Sequence, residues 1–425
     1  MHLKLLCVFS FILPIAASGS VQEFVFPGAR GFGVHTPAGR GGKVIRVTNL
    51  KSEGSGSFRA ALAQEGARIV VFEVGGVINL AKNDLLVTEP FLTVAGQTAP
   101  SPGITLIQGG LDIETHDVLI QHIRVRPGDA GQPKKSGWEP DGIATSGPSA
   151  YNIVIDHCSI SWAVDENLSA SGPRLKGPAA TSHDITFSHC IIAEGLSDSS
   201  HAKGPHSKGS LIHDNCTNIA VIGNLYAHNV ERNPWFKACT TGVIVNNLIY
   251  NPGRRAIQVR YSDGEWRESK TRRPANARLS IVGNVLVHGV NTDKTTPLVG
   301  RAKGEGKGDL YLEDNIAKLR SGEDADIFAE PYRILNEKSL WPEGLTALPA
   351  SKTAEYVLRY AGARPRDRDA SDRRIVRNFR ERAGKIIDSQ AEVGGYPRMT
   401  GTTRKLKIPE KNLDEWLAAL ASDLE

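Results

Sequence analysis

A short pattern of alternating apolar and polar positions recurs seven times through the middle of the chain. Each copy places apolar residues at alternate positions, followed by a turn residue and one fixed last position. Period-two alternation over such a short stretch is typical of a half-buried β-strand. The copies are VLIQHI (118–123), IVIDHC (153–158), ITFSHC (185–190), IAVIGN (219–224), GVIVNN (242–247), LSIVGN (279–284) and LYLEDN (310–315).

The spacing of these copies predicts that the strands stack. Their last positions are 35, 32, 34, 23, 37 and 31 residues apart. No copy is followed by a convincing amphipathic helix, so we do not expect alternating βαβ units. Units of this length suit one coil of a parallel β-helix, in which equivalent residues of successive coils lie about 4.8 Å apart. A β-sandwich is the structural alternative, although the spacings are long for hairpins.

The last position of the copies predicts two ladders inside the stack. Cysteine occupies it at Cys158 and Cys190, and asparagine occupies it in the copies that follow. Stacked asparagine amides satisfy one another, so we expect an inward amide ladder. Parallel side chains within a sheet strain a disulfide, so Cys158 and Cys190 are expected to be buried free thiols. The ladder asparagines are Asn224, Asn247, Asn284 and Asn315.

Cys216 and Cys239 each stand three residues before a strand copy, in predicted turns. A turn backbone adjusts more easily than a sheet, and an oxidising compartment favours closure. We therefore expect a Cys216–Cys239 disulfide, which would close a loop of about 23 residues and stabilise the protein by about 3 kcal/mol.

The two ends of the stack are expected to be covered. Ser57 is a plausible N-cap for a short helix that would close the N-terminal end of the coil interior. Residues 321–425 lose the strand pattern, and Ile375, Val376 and Phe379 form an apolar stripe within a densely charged run. We expect a partly helical C-terminal extension that packs on or caps the helix. The Arg-rich run is more simply explained as a solvated helix face than as a polyanion site.

The first twenty residues differ from the rest of the chain. A basic start at Lys4 precedes thirteen apolar residues and then a run of small residues, which is typical of a secretory signal peptide. This apolar run is too short to span a bilayer, and no longer one follows. We expect residues 1–20 to be removed and the protein to be secreted, to the periplasm or the medium, without a membrane anchor.

Composition and net charge exclude several classes of protein. The chain has 425 residues, of which 40% are hydrophobic and 23% charged, which excludes a disordered, collagen-like or disulfide-dense protein. The 43 glycines fit many turns and short strands. A net charge of +5 is too small to indicate nucleic-acid binding. We expect a monomer.

Six motifs follow one another in a fixed order: FPGARGFG (26–33), GGKVIRVTNL (41–50), GSGSFRAA (54–61), AGQTAP (95–100), IDHCSISW (155–162) and ERNP (231–234). In this order they resemble the pectate lyase family, polysaccharide lyase family 1. The resemblance covers about residues 26–320, and six ordered motifs are far more specific than one. It implies an all-β, right-handed single-stranded parallel β-helix, with residues 21–320 as the catalytic domain. The repeat pattern leads independently to the same architecture.

The resemblance implies β-elimination across a 1,4-linked uronate such as polygalacturonate. The reaction removes the C5 proton beside the carboxylate and expels O4. Because the enolate beside a carboxylate is a dianion, the site must neutralise the carboxylate and supply a base. Calcium held by oxygen ligands, with lysine and arginine, suits this need. We therefore expect a calcium-assisted pectate lyase that releases unsaturated oligogalacturonates from pectate or pectin.

The motif Arg232-Asn-Pro-Trp-Phe-Lys237 resembles the family's Arg-x-Pro-x-x-Arg. The resemblance implies that Arg232 is the base, and an alkaline optimum would follow because a guanidinium normally stays protonated below pH ~12. Lys237 replaces the family's second arginine, which keeps the charge and loses the two-pronged donor geometry. By its position Lys237 is a substrate-binding candidate.

The resemblance also implies a lysine that grips the substrate carboxylate. Lys208 matches the family position because Leu211 and Ile212 follow it at the family's interval. Lys203 lies five residues earlier and is the competing candidate.

Calcium is the expected cofactor, and its best ligands are Asp141 and Asp165. They bracket the strand copy at 153–158 and are expected to converge on one face. The family often has another carboxylate at the position of Ser169, so one ligand is replaced here. Glu166 is a candidate to contribute instead, or the ion is held mainly through the substrate.

Three other functions fit parts of the pattern. A non-catalytic β-helix adhesin or carbohydrate-binding protein would not need the Arg-Asn-Pro turn or two bracketing aspartates. A glycoside hydrolase on the same fold would need a pair of catalytic carboxylates, and the hydrolase signatures Asn-Thr-Asp, Asp-Asp and Arg-Ile-Lys are absent. A lyase acting on another uronate polysaccharide is the remaining alternative.

Overall fold

The computed structural model describes residues 23–269, 273–300, 307–329 and 331–425, and the predicted signal peptide lies outside these ranges. Short strands joined by turns make up most of the described chain. The strands are β1 (Lys43–Val47), β2 (Arg68–Phe72), β3 (Val74–Asn79), β4 (Leu85–Val87), β5 (Leu92–Ala95), β6 (Ile104–Ile107), β7 (Leu111–Ile113), β8 (Val118–Gln121), β9 (Ile123–Arg126), β10 (Ile143–Ser146), β11 (Tyr151–Asp156), β12 (Ser159–Ser161), β13 (Glu166–Ser171), β14 (His183–Ser188), β15 (Ile191–Ala193), β16 (Lys208–Ile212), β17 (Thr217–Ile222), β18 (Leu225–Ala227), β19 (Trp235–Phe236), β20 (Thr241–Val245), β21 (Leu248–Tyr250), β22 (Gln258–Val259), β23 (Ala277–Val282), β24 (Val285–Val287), β25 (Gly308–Glu313), β26 (Ile316–Lys318), β27 (Arg333–Ile334) and β28 (Thr402–Thr403). The α-helices are α1 (Phe58–Leu62), α2 (Ala350–Tyr360), α3 (Ala370–Glu381) and α4 (Leu413–Ser422).

The strands wind into three parallel sheets that enclose one core, which is the predicted parallel β-helix. The first sheet runs β1-β2-β5-β8-β11-β14-β17-β20-β23-β25-β27. The second runs β26-β24-β21-β18-β15-β12-β9-β6-β3-β28, and the third runs β22-β19-β16-β13-β10-β7-β4. In the middle of the stack each coil gives one strand to every sheet. Among the strands of the described ranges, β28 alone is antiparallel, and it pairs with β3.

The register of the first sheet matches the sequence repeat residue for residue. Ile153 lies opposite Val118 on one side and Ile185 on the other. The series continues through Ile219 and Gly242 and then through the first residues of the last two copies. The inward residues of these copies are buried in one continuous apolar core. Burial of one face sets this register, because a shift by one residue would turn the apolar side chains to solvent.

The predicted amide ladder is confirmed. Asn224 Nδ2 donates to Asn247 Oδ1 at 3.0 Å, and Asn247 Nδ2 donates to Asn284 Oδ1 at 3.0 Å. Asn284 Nδ2 donates to Asn315 Oδ1 at 3.1 Å. The Oδ1 atoms of Asn247, Asn284 and Asn315 each also accept the backbone N–H of the ladder asparagine one coil earlier. The ladder therefore satisfies buried polar groups at a corner of the coil.

The cysteine ladder is confirmed, and the predicted disulfide is wrong. Cys158 and Cys190 are fully buried thiols in neighbouring coils. Cys216 is also a buried thiol, with Sγ 3.4 Å from the carbonyl oxygen of Ala170. The sulfur of Cys239 instead accepts the N–H of Ala275 at 3.3 Å. Cys216 faces the core while Cys239 contacts the next turn, so no bond joins these two residues.

The short helix α1 closes the N-terminal end of the core as predicted. Ser57 is its N-cap, and the Ser57 hydroxyl accepts the N–H of Ala60 at 3.2 Å. Phe58 and Leu62 are buried and belong to the apolar core of the coils. An aromatic and a leucine side chain thus cover apolar surface that the first coil would otherwise expose.

The C-terminal segment lies along the outside of the coils. The faces of α2 and α3 that carry Val357, Ile375 and Val376 pack on the outer residues of the second sheet. The chain then returns to the first coils, where Leu417 of α4 packs on the first sheet. Strand β27, at Arg333–Ile334, extends the first sheet beyond residue 320. Within the described residues, no helix is long and apolar enough to cross a membrane.

Buried charges attach α3 to the coils. Arg126 Nη1 donates to Asp369 Oδ2 at 2.5 Å, and Arg126 Nη2 donates to Asp372 Oδ1 at 2.8 Å. The hydroxyl of Ser159 donates to Asp372 Oδ2 at 2.7 Å. Asp369 and Asp372, at the N-terminal end of α3, therefore pair with Arg126 of the β-helix.

Asp156 and His157 lie in a histidine stack beneath this segment. The His157 ring stacks on those of His122 and His189, with centroids 5.2 and 4.7 Å apart. Asp156 lies 2.7 Å from His157 Nδ1 and 3.0 Å from His189 Nδ1. His189 Nε2 also lies 3.0 Å from the hydroxyl of Tyr356 in α2. The stack thus links the first sheet to the C-terminal segment.

Candidate active site

Three carboxylates converge on the outer face of the third sheet. Asp141 lies just before β10, Asp165 just before β13, and Glu166 is the first residue of β13. Strands β10 and β13 pair in parallel, which brings Asp141 level with Glu166. One oxygen from each carboxylate lies within 4.8 Å of the others. The predicted convergence of Asp141 and Asp165 is therefore found, with Glu166 beside them.

Hydrogen bonds hold Asp141 in place. Its Oδ1 accepts the N–H of Glu166 at 2.9 Å, and its Oδ2 accepts the hydroxyl of Ser169 at 3.1 Å. Desolvation and the charge of Asp165 raise the pKa of Asp141 well above its ordinary value, while Ser169 opposes the shift. Ser169, where the family pattern suggested a missing ligand, thus orients and supports a neighbouring carboxylate.

Two histidines, not anticipated from the sequence, flank Asp165. His206 Nε2 lies 3.2 Å from Asp165 Oδ1, and His201 Nε2 lies 3.5 Å from Asp165 Oδ2. The imidazole rings stack with centroids 3.4 Å apart. Desolvation works against ionisation, but the hydrogen bond and charge of His206 lower the pKa of Asp165. Neighbouring groups therefore shift the pKa values of Asp165 and Asp141 in opposite directions.

Arg232 reaches this cluster from a turn two coils further on. Its backbone is left-handed, with φ 65°, and its N–H donates to Gln258 Oε1 at 2.7 Å. Its guanidinium pairs with Glu166 and lies over the ring of Trp235, 5.1 Å from the ring centroid. Burial lowers the pKa of Arg232, although the charges of Asp165 and Asp141 oppose the shift.

A second asparagine ladder supports the turn that carries Arg232. Asn167 Nδ2 donates to Asn229 Oδ1 at 3.2 Å, and Asn229 Nδ2 donates to Asn233 Oδ1 at 3.0 Å. Asn233 Nδ2 donates to the carbonyl of Arg255 at 3.0 Å. The sequence repeat does not mark this ladder, because Asn229 and Asn233 lie in turns and Asn167 lies in β13, outside the repeated strand copies.

The two lysine candidates have different surroundings. Lys208, the first residue of β16, is buried, and its Nζ contacts Glu231 Oε1 at 2.5 Å. Glu231 also pairs with Arg254 and Arg255. Burial lowers the pKa of Lys208, and Glu231 opposes this shift. Lys203 is exposed and lines the cleft.

Lys237 follows β19 and is also buried. Its Nζ lies 2.6 Å from Glu265 Oε2 and 3.3 Å from Asp214 Oδ2. It lies 5.2 Å from the centroid of the Trp235 ring, which therefore contacts both Lys237 and Arg232. Trp235 could have been noticed from the sequence as the aromatic residue between these two cations.

Most of these groups line one cleft of about 460 Å³, whereas Lys208 and His201 do not line it. Its lining includes Asp141, Asp165, Glu166, Lys203, Arg232, Trp235 and Lys237. Arg174 and Glu265 also line it and were not singled out from the sequence. By their charge, the acidic side chains at one end of the cleft suit a cation, and the cations around them suit an anionic ligand.

The carboxylate cluster fits calcium by its donor chemistry. Asp141, Asp165 and Glu166 offer only oxygen atoms, which hard divalent cations prefer. Calcium takes six to eight oxygen ligands, so about half of its shell would come from water or a substrate.

Comparison with known proteins identifies relatives of the whole chain. No protein-family model matches it. A protein of Aspergillus flavus named Probable pectate lyase C is 32% identical over 382 residues, covering 87% of this chain and 81% of its own. A protein of Neosartorya fischeri with the same name is 32% identical over 409 residues, covering 94% and 86%.

Solved structures with the same architecture include a pollen allergen and a pectate lyase. The major allergen jun a 1 from cedar pollen aligns with a TM-score of 0.55 at 16% identity, covering 79% of this chain and 92% of its own. A pectate lyase bound to a hexasaccharide aligns with a TM-score of 0.55 at 13% identity, covering 81% and 99%. At these identities the structures support the fold alone. Since the fungal relatives match most of both sequences at 32% identity, the chain belongs to the pectate lyase family of polysaccharide lyases.

Proposed function

We propose that this protein is a calcium-assisted pectate lyase that cleaves 1,4-linked galacturonan by β-elimination. The observation that carries the proposal is the position of the Arg232 guanidinium against the carboxylates of Asp141, Asp165 and Glu166 in one cleft. A base beside a calcium-binding cluster is the arrangement that abstraction of a proton next to a carboxylate requires.

In this proposal the three carboxylates hold calcium. When bound, the ion supplies positive charge that neutralises the substrate carboxylate and makes the C5 proton more acidic. Ser169 and the N–H of Glu166 keep the Asp141 carboxylate aimed into the cleft. His201 and His206 do the same for Asp165.

Arg232 is the proposed base. Its unprotonated guanidine removes the C5 proton, the C–H electron pair forms the C4–C5 double bond, and the C4–O4 bond breaks. O4 leaves with the rest of the chain and takes a proton from solvent. Burial favours the neutral guanidine. The stack on Trp235 keeps the planar group in one orientation.

The surrounding lysines are proposed to bind the carboxylates of the substrate chain. Lys237 lines the cleft beside Arg232. Lys208 has its ammonium on Glu231, so its role would be to order the segment before Arg232 unless Glu231 releases it. Lys203 is exposed at the cleft and can reach a carboxylate directly. Polygalacturonate supplies one such carboxylate on each sugar unit.

Export also belongs to this proposal. The apolar segment within residues 1–20 has the composition of a signal peptide. We propose a secreted monomer that acts on pectin or pectate in the periplasm or the medium.

The test is to incubate the purified protein with polygalacturonate and follow the ultraviolet absorbance of the unsaturated product, with calcium and with excess chelator. Arg232→Ala should lower the rate by about 10² to 10⁴, because a general base is lost. Arg267→Ala removes an exposed arginine as the matched control. Reducing ends without this absorbance would indicate a hydrolase, and binding without any product a carbohydrate-binding protein. Activity only on another uronate polymer would reassign the substrate.

A further inference from the structure

Four charged side chains meet at one end of the cleft, apart from the Asp141 cluster. Lys237 Nζ lies 2.6 Å from Glu265 Oε2 and 3.3 Å from Asp214 Oδ2. Arg174 Nη1 lies 3.5 Å from each of the same two carboxylates. Two cations from different coils therefore share one pair of anions.

The two carboxylates have different environments. Asp214 is fully buried, and its Oδ1 accepts the N–H of Ala238 at 3.1 Å and the indole N–H of Trp266 at 3.2 Å. Desolvation opposes ionisation, yet the hydrogen bond from His213 and the charge of Lys237 lower the pKa of Asp214 to about 2. Asp214 is therefore a fixed anion of the folded protein.

Glu265 is the more exposed of the two carboxylates that pair with Lys237 and Arg174. Its side chain is 36% exposed and lies in the short turn Asp263–Trp266, where it reaches over the cleft to Lys237 and Arg174. Moving its carboxylate into solvent requires only side-chain rotation, and water would solvate the released charge. The backbone of this turn would stay anchored, because the side chain of Trp266 is buried.

The two cations and the buried Asp214 together carry one net positive charge, which one further carboxylate can neutralise. Lys237 and Arg174 carry two positive charges, and Asp214 cancels one of them. Glu265 now supplies the second negative charge, and a uronate carboxylate has the same chemical group and charge. We propose that Arg174 and Lys237 form a clamp for a carboxylate of the substrate chain, and that Glu265 holds this place until the substrate displaces it. This inference rests on the proposed function, since it assumes a polyuronate ligand.

The clamp lies close to the proposed base. The Trp235 ring is 5.1 Å from the Arg232 guanidinium carbon and 5.2 Å from Lys237 Nζ, so one indole separates the two positions. One oligosaccharide can therefore engage both. Arg174 brings the planar, multiple-donor geometry that suits carboxylates and that a lysine lacks. Its backbone is held by Asn215, whose Nδ2 donates to the Arg174 carbonyl at 2.5 Å.

The test measures binding of trigalacturonate by calorimetry without calcium, together with KM on polygalacturonate. Arg174→Ala should weaken both by about tenfold, the cost of losing one hydrogen bond between charged groups. Arg174→Lys should recover part of the loss. Glu265→Gln should tighten binding several-fold, because the competing charge is gone. A misfolded variant cannot mimic this gain.

Matched controls change the same charges nearby. Arg267→Ala and Glu268→Gln alter exposed residues close to the same turn, so they report the general effect of net charge. If Arg174→Ala and Glu265→Gln behave like these controls while the wild type forms unsaturated product, the clamp is overturned and the lyase assignment stands. If the wild type binds trigalacturonate through the clamp but forms no such product, the lyase assignment fails instead. Absence of binding and turnover in the wild type overturns both.

Discussion

As the proposed base, Arg232 would have to give up a proton that a free guanidinium retains up to strongly alkaline pH. Burial lowers its pKa, and ionised Asp165 and Asp141 oppose that shift. Calcium bound to these carboxylates would offset their negative charge, so they would raise the pKa of Arg232 less. The ion that neutralises the substrate carboxylate would therefore also favour the neutral base. In the proposed mechanism, metal binding and catalysis are therefore coupled at the residue scale, because the guanidinium of Arg232 lies against the carboxylates that would hold calcium.

The pH profile tests this assignment. A base works only when deprotonated, so kcat/KM should rise as the pH approaches the pKa of residue 232 from below. Arg232→Lys should be slower and should move this rise to lower pH by about two units, since the ordinary pKa of lysine is about that much lower than that of arginine. Arg267→Lys is the control. If kcat/KM of Arg232→Lys rises over the same pH range as that of the wild type, a group other than residue 232 is the base.

Ser169 provides a test of the calcium site that does not depend on turnover. Its hydroxyl donates to Asp141 Oδ2 at 3.1 Å and favours the ionised carboxylate. Ser169→Ala should therefore weaken calcium binding by about tenfold, within the usual range for an outer partner of a metal ligand. Calcium titration by calorimetry measures the change. Ser171→Ala, on the same strand two residues later, is the matched control, and equal affinities in the two variants would contradict the proposed site.

At the scale of elements, the asparagine ladder adds buried side-chain hydrogen bonds between coils to the strand pairing of the sheets. Asn247 is fully buried and takes part in hydrogen bonds on both sides of its rung. Removing one such amide leaves the backbone N–H of Asn224 without its acceptor. Because the strands are short, the corners must hold each coil in register on the next.

Asn247→Ala should lower the free energy of unfolding by about 2 to 4 kcal/mol, since buried polar groups lose their partners. Asn315→Ala, at the half-buried last rung, should cost less because water can replace the amide. Chemical denaturation of both variants provides the measurement. A loss at residue 247 no larger than at residue 315 would show that the ladder does not act as a buried network.

On the scale of the whole molecule, the C-terminal segment is held by buried ion pairs as well as apolar contacts. Desolvation opposes ionisation, but the charge of Arg126 and its hydrogen bond lower the pKa of Asp369. A carboxylate with a depressed folded pKa contributes stability above its unfolded pKa of about 3.9 and loses that contribution as the pH falls further.

Asp369→Asn should therefore destabilise the protein at neutral pH by about 3 kcal/mol, because Arg126 loses one of its two buried partners. The difference in melting temperature from the wild type should shrink as the pH falls below about 4. Asp414→Asn, which alters an exposed pair with Arg40, is the control. A difference that stays constant with pH would exclude this ionic contribution.

The sequence predicted the β-helix because its strand signal is local. Each strand copy contains its own alternation, and copies that bury one face can stack in only one register, so Val118, Ile153 and Ile185 fall into line. The asparagine and cysteine ladders follow from the same register. The disulfide between Cys216 and Cys239 was predicted wrongly because turns lack this periodicity, and their side-chain directions cannot be derived from spacing.

The candidate site contains residues that the sequence predicted and others that come together only in the folded structure. Arg232 was predicted through a motif, and Asp141 and Asp165 through their positions on either side of the strand copy at 153–158, with Glu166 beside them. Arg174, Glu265 and the histidines beside Asp165 come from loops of different coils, and no pattern along the chain connects them. Alternation of apolar and polar residues decides which faces of the strands are buried, because the strand period is local. The path of each loop across the outer face of the third sheet decides which charges meet, and those contacts arise only when the coils have stacked.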